Sequence, residues 1–239
     1  MTLSRSGGSG LPDLDSCTIR FSTRRRYPAV VVHPDLRVEV VVPPGTPQTA
    51  IEDLYRRKSP WVVRTLARFR ESPCRAPERR YVTGEIILLA GEELRLVVEP
   101  GRGRAVFADD ASLRVVLPAG ASQDDVRSGV IEFYREEAAR RLGPLVEVHA
   151  ARIGVPCPPF RVKLLRRRWG SCSRAGRLNF NLRLAMAPPA LMEYIVVHEL
   201  CHLLHLDHSP AFWRAVARYL PDYPARRRTL RETGWQYSL

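Results

Sequence analysis

Lysine is nearly missing from this chain of 239 residues: Lys58 and Lys163 are the only two among 38 basic residues, the rest being arginine. Arginine grips carboxylate and phosphate bidentately, but so lopsided a ratio equally reflects coding bias. Cysteine is scarce and odd in number: Cys17, Cys74, Cys157, Cys172 and Cys201, with no CxxC pair. A disulfide framework and a four-cysteine zinc ribbon are thereby excluded. No apolar run approaches the roughly 18 residues of a membrane helix. With 15 glycines, a collagen-like repeat is out. Residues 1–16 are rich in Ser and Gly and lack the apolar core of a signal peptide; they read as a disordered tail, and the protein as cytoplasmic. Acidic residues are few, 25 against 38 basic, for a formal net charge of +13. Such a field favours anionic partners: nucleic acid, nucleotides, acidic proteins or anionic lipid.

What is present is the balance of an ordinary globular protein, 45% hydrophobic and 26% charged. The apolar fraction is too high for a disordered chain. The patterns predict a β-rich N-terminal region over residues 17–120 with one helix at about 47–69, and a second region over 121–239. Strand-like segments fall near residues 18–25, 29–33 and 37–42, then 85–89, 93–98, 104–107 and 113–117. Two prolines mark residues 71–80 as a linker. An internal echo is visible: Leu36-Arg37-Val38 leads through Pro44-Gly45 to 50–56, and Leu113-Arg114-Val115 leads through Pro118-Ala119-Gly120 to 130–135. It reads either as a duplicated unit or as one strand–turn–helix solution used twice. A long helix over about 123–153 carries Ile131, Tyr134, Ala138, Leu142, Leu145 and Val148 as its apolar stripe. Strands follow near 161–165, 168–172 and 177–184. In the last, Leu178, Phe180, Leu182 and Leu184 alternate with polar residues, giving one buried face.

Pro188-Pro189 then opens a helix carrying His198-Glu199-Leu200-Cys201-His202. Histidines four apart share a helix face, about 6 Å apart along the axis, and one metal ion can bridge them. Glu199 flanks such an ion and is free to take a proton from an activated water. For the third ligand the geometry favours His208 over His205. His205 lies about 10.5 Å along the axis from His198, whereas His208 returns after the helix ends. There Ser209 has the character of an N-cap and Pro210 of a first helical position. The spacing matches the metzincin pattern except that His205 stands in the place of its glycine. A carboxylate ligand, Asp207 or Glu232, is the competing geometry. Three protein ligands leave a fourth position for water, the mark of a catalytic site. Candidates to stabilise a developing oxyanion are Arg168, Asn179, Arg183 and Tyr194.

Together, Arg168-Trp169-Gly170-Ser171-Cys172-Ser173, residues 178–184, Pro188-Pro189, residues 194–202, His208-Ser209 and Phe212-Trp213 closely resemble the YgjP-like metal-dependent hydrolases. That family is similar to the SprT-like and WLM zinc peptidases. The resemblance spans about residues 19–235. It implies an α+β fold: a β-rich N-terminal region, then a zincin-like catalytic domain with the active-site helix beside a mixed sheet. It implies one zinc ion on His198, His202 and His208, with Glu199 catalytic. It also assigns substrate contacts to Arg168, Trp169 and Asn179, and makes the strand at 177–184 an edge for β-augmentation. Cys172 is read either as a small buried residue or as a switch ligand, and Phe212 and Trp213 as packing behind the site. Arg226, Arg227, Arg228 and Arg231 form a basic face.

The function so read is a zinc-dependent metallopeptidase cleaving peptide bonds by metal-activated water. Two alternatives stand beside it. One is a zinc-dependent nucleoside triphosphate pyrophosphohydrolase, which fits the arginine excess but lacks a P-loop and a carboxylate cluster for magnesium. The other is a nucleic-acid-associated protease, for which no zinc-finger, helix–turn–helix or aromatic RNA-binding signature is present.

Overall fold

A computed structural model describes residues 12–23, 25, 27–33, 36–71 and 79–239. The expected tail up to residue 11, Arg24 and Arg26 of one arginine run, and 72–78 of the linker lie outside them. The chain divides into two compact units between Arg75 and Ala76.

In the first unit a 3-10 turn, Leu14–Ser16, precedes strands β1 (Thr18–Phe21), β2 (Ala29–Val32) and β3 (Val38–Val42) and helix α1 (Gln48–Glu71). The sheet order is β1-β3-β2, with β1 parallel and β2 antiparallel to the central strand. Val38, Val40 and Val42 alternate onto one face and pack with Ile51, Tyr55, Val62 and Leu66 of α1 in a small core.

The second unit holds β4 (Ile86–Leu89), β5 (Glu92–Pro100), β6 (Ala105–Ala108), β7 (Ser112–Leu117) and α2 (Gln123–Ile153). Its first sheet has the order β4-β5-β7-β6. Residues 79–120, grouped by sequence with the N-terminal region, thus belong with α2: Leu94, Leu96, Leu113 and Val115 share one core with Val130, Tyr134 and Leu142. A capping box starts α2, Ser122 Oγ accepting from the Asp125 N–H and Asp125 accepting from the Ser122 N–H. Tyr134, Ala138, Leu142, Val146 and Ala150 form its buried stripe. The expected stripe departs from this at Ile131, Leu145 and Val148: the first two are half-buried and Val148 is 59% exposed. Strict steps of four keep the chain on the face that packs.

The rest of the second unit positions the site. Strands β8 (Phe160–Lys163), β9 (Gly170–Cys172) and β10 (Leu178–Asn181) form a mixed sheet, order β8-β10-β9. Strand β10 is therefore central, pairing with β8 in parallel and β9 antiparallel, and is not the edge expected at 177–184. The strand also stops sooner, because Asn181 turns the chain. Its Oδ1 accepts from the Arg183 N–H, and its amide donates to the carbonyls of Leu165 and Arg168. Leu182–Met186 then coil as a 3-10 turn, burying Leu182, Leu184, Ala185 and Met186. The β4–β5 hairpin supports this turn, Ala90 and Gly91 donating N–H groups to the carbonyls of Ala185 and Met186. Helices α3 (Pro189–Cys201), α4 (Pro210–Tyr219) and α5 (Tyr223–Thr233) complete the chain. Among the described residues no helix is long and apolar enough to cross a membrane.

Candidate metal centre

Helix α3 begins with Pro189 and buries Leu191, Ile195, Val196, Val197 and Leu200 in the core. That fixes which way its last turn faces. His198 and His202 lie on that turn, their ring centroids 4.9 Å apart. The chain leaves α3 through 203–208, and Ser209 caps α4 by accepting from the Phe212 N–H. Asp207 accepts from the Ser209 N–H, so this carboxylate is committed to the turn. His208 is thereby carried back over α3, its Nε2 3.1 Å from that of His198. One ligand atom from each of His198, His202 and His208 falls within 4.8 Å of the others, and no further His, Cys, Asp or Glu joins the group among the described residues.

Aromatic walls hold the rings. Phe212, fully buried, stacks on His202 at 4.5 Å, and Trp213 stacks on His208 at 5.6 Å. His202 Nδ1 lies 3.0 Å from the His205 carbonyl. That acceptor fixes the proton on Nδ1 and leaves Nε2 a bare donor. His205 itself turns elsewhere, lining a separate cavity with Leu204, Ala211 and Arg214. Its contribution is a backbone carbonyl, which side-chain spacing does not reveal.

The donor set fits a divalent cation. Burial first, then the neighbouring His202 and His208, hold His198 down to about 3, so the ring is neutral and its nitrogen lone pair available. His198 Nδ1 is buried without a partner, so this ring meets polar neighbours on its Nε2 side. A tetrahedral ion with bonds of about 2.0–2.1 Å sets its ligand nitrogens roughly 3.3 Å apart, close to the separation found between His198 and His208.

Glu199 lines one cavity together with His198. It lies over Gly170 of β9 so closely that a Cβ there would stand 2.6 Å from Oε1 and 2.7 Å from Cγ. Glycine is thus demanded at the middle of Trp169-Gly170-Ser171 by close approach. Burial pushes the Glu199 carboxyl up to about 8, against the opposing charge of Arg168. Beside it opens a cavity of about 300 Å³ lined by Trp169, Gly170, Tyr194, Ile195, His198, Glu199, Arg227, Leu230 and Arg231.

The other expected residues separate. Trp169 lines this cavity, its indole beneath the Arg183 guanidinium at 5.0 Å. Tyr194 also lines it, burial raising its hydroxyl to about 12. Arg168 reaches Glu199 through its charge. Asn179 is turned to the opposite face of the sheet, donating to Ser171 Oγ. Arg183 is spent on the Leu165 carbonyl and the Asn181 side chain. Cys172 lies near Glu199 but outside the histidine group, with burial raising its thiol. The basic C-terminal face divides too: Arg226 is paired with Glu193 and Asp222, while Arg227 stacks over Trp213 at 4.5 Å.

The profile described as "YgjP-like, metallopeptidase domain" matches residues 26–233. No curated protein matches the sequence. Among solved structures the chain is similar to the metallopeptidase zymogen of Pyrococcus abyssi abylysin, at 24% identity and TM-score 0.35, covering 39% of this chain and 95% of that one. The family profile covers most of the chain, so this protein belongs to the YgjP-like metallopeptidase family. It is a metallohydrolase, with peptide or protein as its substrate class.

Proposed function

From that membership we propose that the chain is a zinc-dependent metallopeptidase in which His198, His202 and His208 hold one zinc ion and Glu199 is the general base. The observation that carries the reading is the convergence of three imidazole donors, one on the turn before α4, beside a buried carboxylate. Zinc so held supplies a Lewis acid and lowers the pKa of water towards about 7. A cation beside Glu199 also favours its ionised form, offsetting the effect of burial. Ionised, the Glu199 carboxylate takes a proton from the attacking water as the new C–O bond forms. It then delivers that proton to the amide nitrogen as the C–N bond breaks.

Substrate positioning falls to β9. Ser173 donates to the Arg177 carbonyl and Asn181 to that of Trp169. The alternation of an antiparallel pair then turns the backbone groups of Gly170 and Cys172 away from β10, to the open edge. An extended peptide paired there lies across Glu199. Trp169 flanks it on the cavity side, Arg168 stands beside Glu199, and Asn179 faces the outer side. Tyr194, on the cavity wall, is the candidate best placed for the oxyanion. We place the protein in the cytoplasm, a reading that the free thiols of Cys17, Cys157, Cys172 and Cys201 support.

The direct test of the ligand set is zinc content measured on purified protein. One equivalent is expected, and His208→Ala should lose it. Full retention by His208→Ala overturns the third-ligand assignment.

A further inference from the structure

We propose that the cleft selects an extended acidic polypeptide, whose alternating side chains meet cations on both faces of β9. This rests on the peptidase reading above and names the substrate class of the same site.

Residues 148–192 carry nine Lys and Arg and not one Asp or Glu, so this stretch supplies +9 of the chain's +13. Coding bias exchanges lysine for arginine; it does not remove every carboxylate from one stretch. The structure places four of these nine cations, Lys163 and Arg166–Arg168, together on the sheet that carries β9. On the outer face of the β8-β10-β9 sheet a concavity of about 480 Å³ is lined by Lys163, Leu165, Arg166, Arg167, Arg168, Ser171 and Asn179. On the other face, Arg227 and Arg231, one helical turn apart on α5, stand at the cavity beside Glu199. All six cations are exposed. None of the six makes a salt bridge among the described residues, whereas Arg226 on the same helix makes two. Charges of one sign on both sides of a cleft raise the local concentration of the opposite sign.

Geometry selects a peptide over other polyanions. A strand added to the open edge of β9 projects successive side chains to opposite faces. One set then enters the cavity of Arg227 and Arg231, and the other lies against Lys163 and Arg166–Arg168. Glu199 lines the cavity of Arg227 and Arg231, and the charge of Arg168 reaches it. A single-stranded nucleic acid is favoured by aromatic platforms for its bases. The outward residues of this sheet, Arg161, Lys163, Ser171 and Asn179, provide none.

The test compares three matched peptides with Glu, Gln or Lys on both sides of one cleavable bond, using the zinc-loaded enzyme at low and high salt. Binding of the same labelled peptides to Glu199→Gln is followed by fluorescence anisotropy. We expect kcat/KM for the Glu peptide about tenfold above that for the Gln peptide, the order a few partly exposed charge pairs supply, and an advantage that shrinks with salt. Arg227→Glu with Arg231→Glu should shift preference to the Lys peptide. Arg166→Gln with Arg167→Gln, on the other face, should weaken the Glu advantage on its own. Equal turnover of the Glu and Gln peptides overturns the inference and leaves the peptidase reading standing. No cleavage of any peptide, with salt-sensitive binding of the Glu peptide intact, supports the cationic site for acidic peptides and refutes the peptidase reading. Binding of none, or tighter binding of a labelled single-stranded DNA than of the Glu peptide, overturns it.

Discussion

The chain contains one supersecondary unit twice, and the two copies have come to different ends. In the first, β1 and β2 flank β3 and the chain proceeds to α1; in the second, β5 and β6 flank β7 and the chain proceeds to α2. Each central strand has a parallel neighbour on one side and an antiparallel one on the other. The register agrees residue for residue: Phe21↔Val42 and Ala29↔Val41 in one, Pro100↔Leu117 and Ala105↔Val116 in the other. Gly45 and Gly120 both take positive φ in the turn, and the helices start at Gln48 and Gln123, each six residues beyond the strand end. The copies diverge in what their helices serve. Helix α1 closes on its own valines, while α2 runs on for 31 residues and its later turns back the elements that carry the site. A fold repeated for stability in one place is extended in the other into a support for chemistry.

Cutting into α2 should break this difference most severely. Tyr134 is wholly buried and donates its hydroxyl to the Leu88 carbonyl. Tyr134→Ala is expected to cost about 3–5 kcal/mol, read by denaturant unfolding, and to lower zinc retention with it. Leu66→Ala in α1, also fully buried, is expected to cost about 2–5 kcal/mol in the first unit while zinc content and turnover hold. Loss of zinc from Leu66→Ala would show that the copies are not energetically distinct. The smallest effect falls at the helix starts. Ser122 caps α2, but its counterpart before α1 is Pro47, which has no capping side chain. Ser122→Ala should cost about 1 kcal/mol, with the melting midpoint as readout and activity unchanged.

The grouping of His198, His202 and His208 is largely legible in the sequence because its information is local. The spacing from His198 to His202 needs only a helix, and His208 needs only a helix end, which Ser209-Pro210 announces. The repeat was visible but misaligned: the sequence echo pairs 50–56 with 130–135, whereas the strands and turns pair Ile51 with Val126 and Tyr55 with Val130. Similar helix surfaces match at several offsets, and only strand register settles the choice. Long-range features stayed hidden. That β10 is central and β9 the edge depends on pairing with β8, and that Gly170 must lack a side chain depends on Glu199 crossing above it. Leu182 and Leu184 kept the period of a strand although Asn181, through its own hydrogen bonds, ends one.

That a metal held by three histidines works with Glu199 as its base is open to one decisive measurement: zinc content and peptide turnover determined together on Glu199→Gln. One zinc per chain is expected, as in the unaltered protein, with turnover lowered by about 10²–10⁴. Turnover equal to that of the unaltered protein at full zinc occupancy would contradict it.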